Sequence, residues 1–168
     1  AAFSLNNATY TRYAMNRPGG TPDAILVLIP GFEGGVGDFK ILAENVIARA
    51  LADHGQVLEV WGYDRRTNQL EDREGLDVAE SYVYASGAAQ IGLDWLFGGE
   101  LGLVLHPALV AGPNRRAVFY DPNGDVPFLA NWTNLVFSRD IDAVVTAADA
   151  AVANHNVFLG GHSADLAG

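Results

Sequence analysis

Apolar and polar positions fall in blocks along this chain, and the period changes from block to block. Ala24–Ile29 (A-I-L-V-L-I) is an unbroken apolar run, which predicts a strand buried on both faces, as in a parallel sheet. The glycine-rich stretch Pro30–Gly37 follows. From about Asp38 the positions Phe39, Leu42, Ala43, Val46, Ile47, Ala50 and Leu51 recur at helical spacing and predict one apolar helix face, with Gly55 as the stop. Gln56–Trp61 predicts the next strand, and Gly62–Glu74 is polar and charged. Upstream, Phe3–Met15 predicts β structure and Arg17–Asp23 a turn.

The long middle, Gly75–Asn134, is rich in Gly, Leu, Ala and aromatics and keeps no single period. It is too apolar for a solvated linker, so it predicts an insertion built of short helices. Ser138 is placed to cap a helix running to about Val152, with Asp140 and Asp142 favourable in its first turn. Asn156–Leu159 predicts a last buried strand that runs directly into Gly160-Gly161-His162-Ser163. Strands and helices alternate. The expected fold is therefore α/β, a single domain over residues 1–168 with a mostly parallel sheet and an insertion at 75–134.

Composition narrows the function classes. The 168 residues are 49% hydrophobic and 18% charged, enough apolar content for a real core. A net charge of −10 disfavours nucleic acid and basic-patch docking on membranes. With no cysteine in the chain, disulfides, thiolate metal sites and cysteine nucleophiles are excluded. The most apolar region, Tyr82–Gly112, is broken by Asp94, Glu100, Pro107 and glycines, so no transmembrane span is expected.

The chemistry concentrates at two glycine-containing turns. A strand leading into Gly161-His162-Ser163 presents the Ser163 hydroxyl on a sharp turn and leaves the N–H of Ala164 free for an oxyanion. Asp165 stands where the pattern G-x-S-x-G ends in glycine. The second turn, Pro30-Gly31-Phe32-Glu33-Gly34-Gly35, follows the early buried strand, and Phe32 is its most plausible donor of a second oxyanion N–H. In a parallel fold both turns lie at one sheet edge.

Competing motifs are weaker. G-x-G-x-x-G fails because Lys40 occupies the third glycine position, and no P-loop Gly-Lys-Ser/Thr occurs. Asp64, Glu71, Asp72 and Glu74 among Arg65, Arg66 and Arg73 read as a solvated, salt-bridged loop, not a metal site. Asn7-Ala8-Thr9 and Asn131-Trp132-Thr133 fit the glycosylation acceptor pattern. The aromatics Tyr82, Tyr84, Trp95, Phe97, Phe119, Tyr120, Phe128 and Trp132 fit two readings: the lining of an acyl pocket, or a small core of the insertion itself.

At the two turns the chain resembles the α/β-hydrolase family, of the esterase and lipase kind. P-G-F-E-G-G resembles the family's oxyanion loop and G-H-S-A its nucleophile elbow. W-G-Y-D-R-R-T-N-Q-L-E-D is similar to the corresponding segment of members with large lids. The resemblance implies an α/β-hydrolase fold with residues 75–134 as an inserted helical cap, and an acyl-enzyme formed on Ser163 from a carboxylic ester or related acyl substrate. Phe32 and Ala164 N–H groups would hold the oxyanion, and no metal or organic cofactor is implied. In the family an acid and then a histidine follow the serine, and neither is in this sequence. His54, His106, His155 and His162 read as surface or packing residues, with His106 the least implausible base. As a last strand, Val157, Phe158 and Leu159 would form an uncovered apolar edge, which natural proteins avoid. The expectation is that a second polypeptide or further C-terminal sequence completes both sheet and triad. The rival expectation, favoured by Asp165 and the missing triad members, is a non-catalytic binding protein of the same fold.

Overall fold

The computed structural model describes residues 5–16, 20–31, 34–70, 74–82, 87–98, 101–102, 104–110, 124 and 127–163. The chain divides into two compact units, Ala1–Gln69 with Asn131–Gly168, and Leu70–Ala130. The first unit contains a four-stranded mixed sheet: β1 (Thr9–Tyr13), β2 (Ala24–Ile29), β3 (Leu58–Asp64) and β4 (Val157–Gly161). The order across it is β1-β3-β2-β4. β2 pairs in parallel with both β3 and β4, while β1 runs antiparallel to β3. The α/β class holds, and the sheet is mostly but not wholly parallel.

The apolar run of β2 is buried on both sides, as its pattern predicts. Ile25, Val27 and Ile29 join Trp61 and Tyr63 against Val144, Ala148 and Val152 at the face covered by α5 (Asn134–Ala151). Leu28 and Val60 face the other way, onto Phe39, Ala43 and Ile47 of α1 (Lys40–His54) and its preceding 3-10 turn. Gly55 ends α1 in the left-handed conformation at φ 67°, and its N–H reaches the Leu51 carbonyl at 2.9 Å. The predicted face of α1 is wider than the real one: Leu42 is 48% exposed, because the sheet is met only along the narrow stripe of Ala43 and Ile47.

Boundaries of two elements differ from the sequence reading. β3 continues through Gly62, Tyr63 and Asp64, residues expected in a loop. Gly62 is tolerated in the strand because Val36 packs on it so closely that a side chain would not fit. α5 starts at Asn134 after Thr133, a turn before Ser138, so Ser138 lies inside the helix and caps nothing. Asp140 is thereby carried away from the helix N-terminus. It is buried and accepts two hydrogen bonds of 2.7 Å from Arg66. An ion pair, not the helix dipole, is what that aspartate serves.

The face of the sheet that α5 covers carries, toward β1, a second buried charge. Glu59 accepts from Arg12 and, at 2.8 Å, from the Trp61 indole, whose ring Tyr10 stacks on. Burial opposes its ionisation, but the hydrogen bonds from Arg12 and Trp61 together outweigh it and hold the carboxyl below the ordinary value.

The second unit contains α2 (Glu74–Ser81), α3 (Ala88–Phe97) and the short α4 (Pro107–Val110). Val78, Ile91, Trp95 and Leu109 form its core. The Trp95 ring packs directly on Gly75, where any side chain would overlap the indole. Of the two readings of the aromatics, the core reading describes Trp95, whereas Tyr82 and Phe97 are 40% and 45% exposed. Tyr84, Phe119 and Tyr120 lie outside the described residues. No helix among the described residues is long and apolar enough to cross a membrane.

Candidate functional site

The strand order creates the site. The chain leaves β2, passes along one face of the sheet as α1, and enters β3 on one side of β2. It returns through α5 on the opposite face and enters β4 on the other side of β2. Strand order thus reverses at β2, and in open α/β sheets ligands bind beyond the carboxyl ends of the strands at such a switch point. The two sequence-predicted turns, after β2 and after β4, leave the sheet side by side at that point.

Their contact is direct. Ile29 pairs with Gly161, and the His162 N–H continues the ladder to the Ile29 carbonyl at 3.1 Å. A methyl group placed on Gly31 would sit 2.9 Å from the Ser163 Cβ, 3.1 Å from the His162 carbonyl oxygen and 3.2 Å from His162 Nδ1. Gly31 is therefore the residue that lets the two turns close on each other. Ser163 is exposed and holds φ 66°, a left-handed backbone that serine rarely adopts. Non-glycine residues held there mark positions that the surrounding structure over-determines, and these cluster at active sites. Phe32, Ala164 and Asp165, the expected oxyanion donors and the residue in the last glycine position of the motif, lie outside the described residues.

A third segment, unrecognised in the sequence, reaches the same edge. Directly after β3, the Arg65 guanidinium donates to the Gly31 carbonyl at 2.9 Å and to the Pro30 carbonyl at 2.7 Å. Asp64 Oδ1 accepts the Val36 N–H at 2.8 Å, and the Asn68 amide donates to the Gly34 carbonyl at 3.2 Å. Burial pushes the Asp64 carboxyl up from its ordinary range, against the weaker opposing pull of the Val36 N–H. Arg66, next along, is the partner of Asp140, with side chains only 15% and 8% exposed respectively. The reading of this stretch as a solvated, salt-bridged loop fails on solvation for Asp64, Arg65 and Arg66, while Arg66 is indeed salt-bridged, to Asp140 of α5. They are partly buried and bonded to backbone and to α5. Glu71, Asp72 and Arg73 lie outside the described residues. The signal available in the sequence was positional: polar residues placed directly after a buried strand, at the edge where the glycine loop also emerges.

The histidines distribute as follows. His155 and Ser163 lie at opposite ends of the five-residue β4, about 16 Å of strand, and His155 pairs with Asp149 at 2.9 Å on the surface. His54 ends the 15-residue α1, about 22 Å from the start of that helix. His106, in the second unit, accepts the Ala108 N–H on its Nδ1 at 3.2 Å at the start of α4, and its own backbone N–H reaches buried Asp94 at 3.0 Å. His162 lies against Gly31. Among the described residues no cluster of histidine and carboxylate side chains could hold a metal ion.

Compared with known protein families, with curated proteins and with solved structures, the chain matches none.

Proposed function

We propose that Ser163 is the nucleophile of a hydrolase acting on a carboxylic ester or related acyl substrate, on an α/β-hydrolase fold. The observation that carries this reading is the left-handed backbone of an exposed Ser163 at the carboxyl end of β4, in contact with Gly31 at the end of the parallel neighbour β2. An ordinary β–α loop has no need of a strained serine. A turn that lifts a hydroxyl clear of the sheet does.

In this reading the Ser163 hydroxyl attacks the ester carbonyl as a histidine takes its proton. The tetrahedral oxyanion is held by the N–H groups of Phe32 and Ala164. Collapse expels the alcohol, which receives the proton from the same histidine, and leaves the acyl group on Ser163. Water, deprotonated by that histidine, then attacks the acyl carbonyl, and the acid departs as the histidine returns the proton to Ser163 Oγ. No metal or organic cofactor takes part. The histidine and its acid are assigned to polypeptide that docks on the side of β4 left unpaired among the described residues, where Phe158 and Leu159 stand 58% and 57% exposed.

A fluorophosphonate probe tests the reading on the intact natural polypeptide that carries this sequence. Covalent labelling that disappears in Ser163→Ala is the expected result. Folded protein that takes no label would overturn it in favour of a non-catalytic binding protein of the same fold.

A further inference from the structure

Ser163 departs from the alternation that β4 sets. Along a strand successive side chains point to opposite faces. His162 still belongs to the ladder, with its N–H on the Ile29 carbonyl at 3.1 Å. At Ser163 the backbone swings to φ 66°. Two adjacent side chains then arrive at one place. The position a Gly31 Cβ would take lies 2.9 Å from Ser163 Cβ and 3.2 Å from His162 Nδ1, with the His162 carbonyl oxygen at 3.1 Å. Serine, imidazole and the carbonyl between them all close on the same glycine.

This arrangement holds the residue before the serine at both ends of its backbone. The His162 N–H is tied to β2, and its carbonyl oxygen rests over Gly31. A planar trans peptide joins that carbonyl to the Ser163 N–H. Fixing the carbonyl therefore fixes the plane from which the serine rotates. Left-handed backbone is unfavourable for a residue with a Cβ, and it persists only where the surroundings over-determine it. The His162 ring supplies that constraint from the side chain: it occupies the space over Gly31 next to the serine.

We propose that His162 is a positioning residue of this centre, its ring seated on Gly31 so that Ser163 is kept in the left-handed conformation that presents its hydroxyl. The proposal rests on the reading of Ser163 as nucleophile, and leaves proton transfer to the histidine assigned above to docking polypeptide. Its basis is the shape of the imidazole and not its basicity. A flat ring without nitrogen serves the same purpose, whereas loss of the ring opens the space over Gly31 and lets the serine backbone relax.

The test uses the intact polypeptide as wild type, His162→Ala and His162→Phe, with a fluorophosphonate as the probe. His162 is exposed, so the replacements leave the core untouched. His162→Ala is expected to slow the maximal rate of covalent labelling at Ser163 about 100-fold, the scale of a misplaced reacting group. The reversible affinity for the probe should change by less than about threefold. His162→Phe should label within about threefold of wild type, since phenylalanine keeps the flat ring and carries no group that moves a proton. A second readout is thermal: Ser163→Gly should raise the melting midpoint in wild type, and by less than half as much in His162→Ala, where the serine is no longer held in the left-handed region. Should His162→Ala not fold, His162→Ser takes its place with the same expected results. Labelling of His162→Ala at the wild-type rate, or an equal gain from Ser163→Gly in both backgrounds, overturns the proposal. His162→Phe as slow as His162→Ala also overturns it, because the nitrogen and not the ring is then what matters. If wild type takes no fluorophosphonate on Ser163, the nucleophile reading falls and this inference with it. If wild type is labelled and His162→Ala labels equally fast, only the role of His162 falls.

Discussion

The segment Asp64–Gln69 and the strand β4 meet the same glycine loop from two sides, and their sequences promise the reverse of what they do. The first is polar and charged, yet Asp64, Arg65, Arg66 and Asn68 are partly buried and bonded to Gly31, Gly34, Val36 and Asp140. The second is Val-Phe-Leu-Gly-Gly, yet Phe158 and Leu159 are more than half exposed. Phe158 and Leu159 are consecutive and point to opposite faces of the sheet. Neither the α1 layer nor the α5 layer reaches the outer side of β4. Burial here follows from which neighbours an element finds, and a charged side chain with a complete set of partners is more enclosed than an apolar one at an open edge.

That contrast can be broken most forcefully at Arg66 and Asp140. Asp140→Ala leaves a buried guanidinium without its carboxylate, and should cost about 3–5 kcal/mol of stability in urea denaturation. Arg66→Met with Asp140→Leu should recover most of the loss, because an apolar pair of similar size leaves no orphaned charge. If the double variant is as unstable as the single one, packing at that position matters more than charge.

Gly31→Ala attacks the point where the two turns touch. Its methyl group would lie 2.9 Å from the Ser163 Cβ, so the serine turn has to move. A destabilisation of about 1–3 kcal/mol is expected, together with slower fluorophosphonate labelling of Ser163. Labelling at the wild-type rate would show that the serine turn is set independently of the loop.

The smallest effect belongs to β4. In the 168-residue chain itself, Phe158→Thr and Leu159→Thr should each change stability by about 0.5 kcal/mol or less, as exposed positions do. Where another strand docks on that edge, the same substitutions should cost about 2 kcal/mol each, the worth of a buried apolar side chain. The difference between the two measurements sharpens the comparison into a count of covered faces.

Regular elements with a strong apolar period were legible in the sequence. β2 could be read from A-I-L-V-L-I because both its faces are buried, and the end of α1 from Gly55, whose φ of 67° glycine adopts without strain. The meeting of Gly31 with the serine turn was legible for a topological reason, since parallel strands deliver their following turns to one edge. What stayed hidden was polar and long-range. Asp140 looked like a first-turn aspartate because nothing local reveals a partner 74 residues away. Arg65 looked solvated for the same cause: its acceptors are backbone carbonyls, which carry no sequence signature. The start of α5 was misplaced because Ser138 is a good cap by type, while Thr133 holds the capping position without a side-chain bond.

The backbone of Ser163 sets engineering for stability against any chemistry at this edge. At φ 66° a serine carries a conformational cost of about 1 kcal/mol or more, which glycine does not. A search for stabilising substitutions, blind to activity, would therefore favour glycine at 163. The gain in folding free energy and the deletion of the reactive hydroxyl would arrive in one mutation.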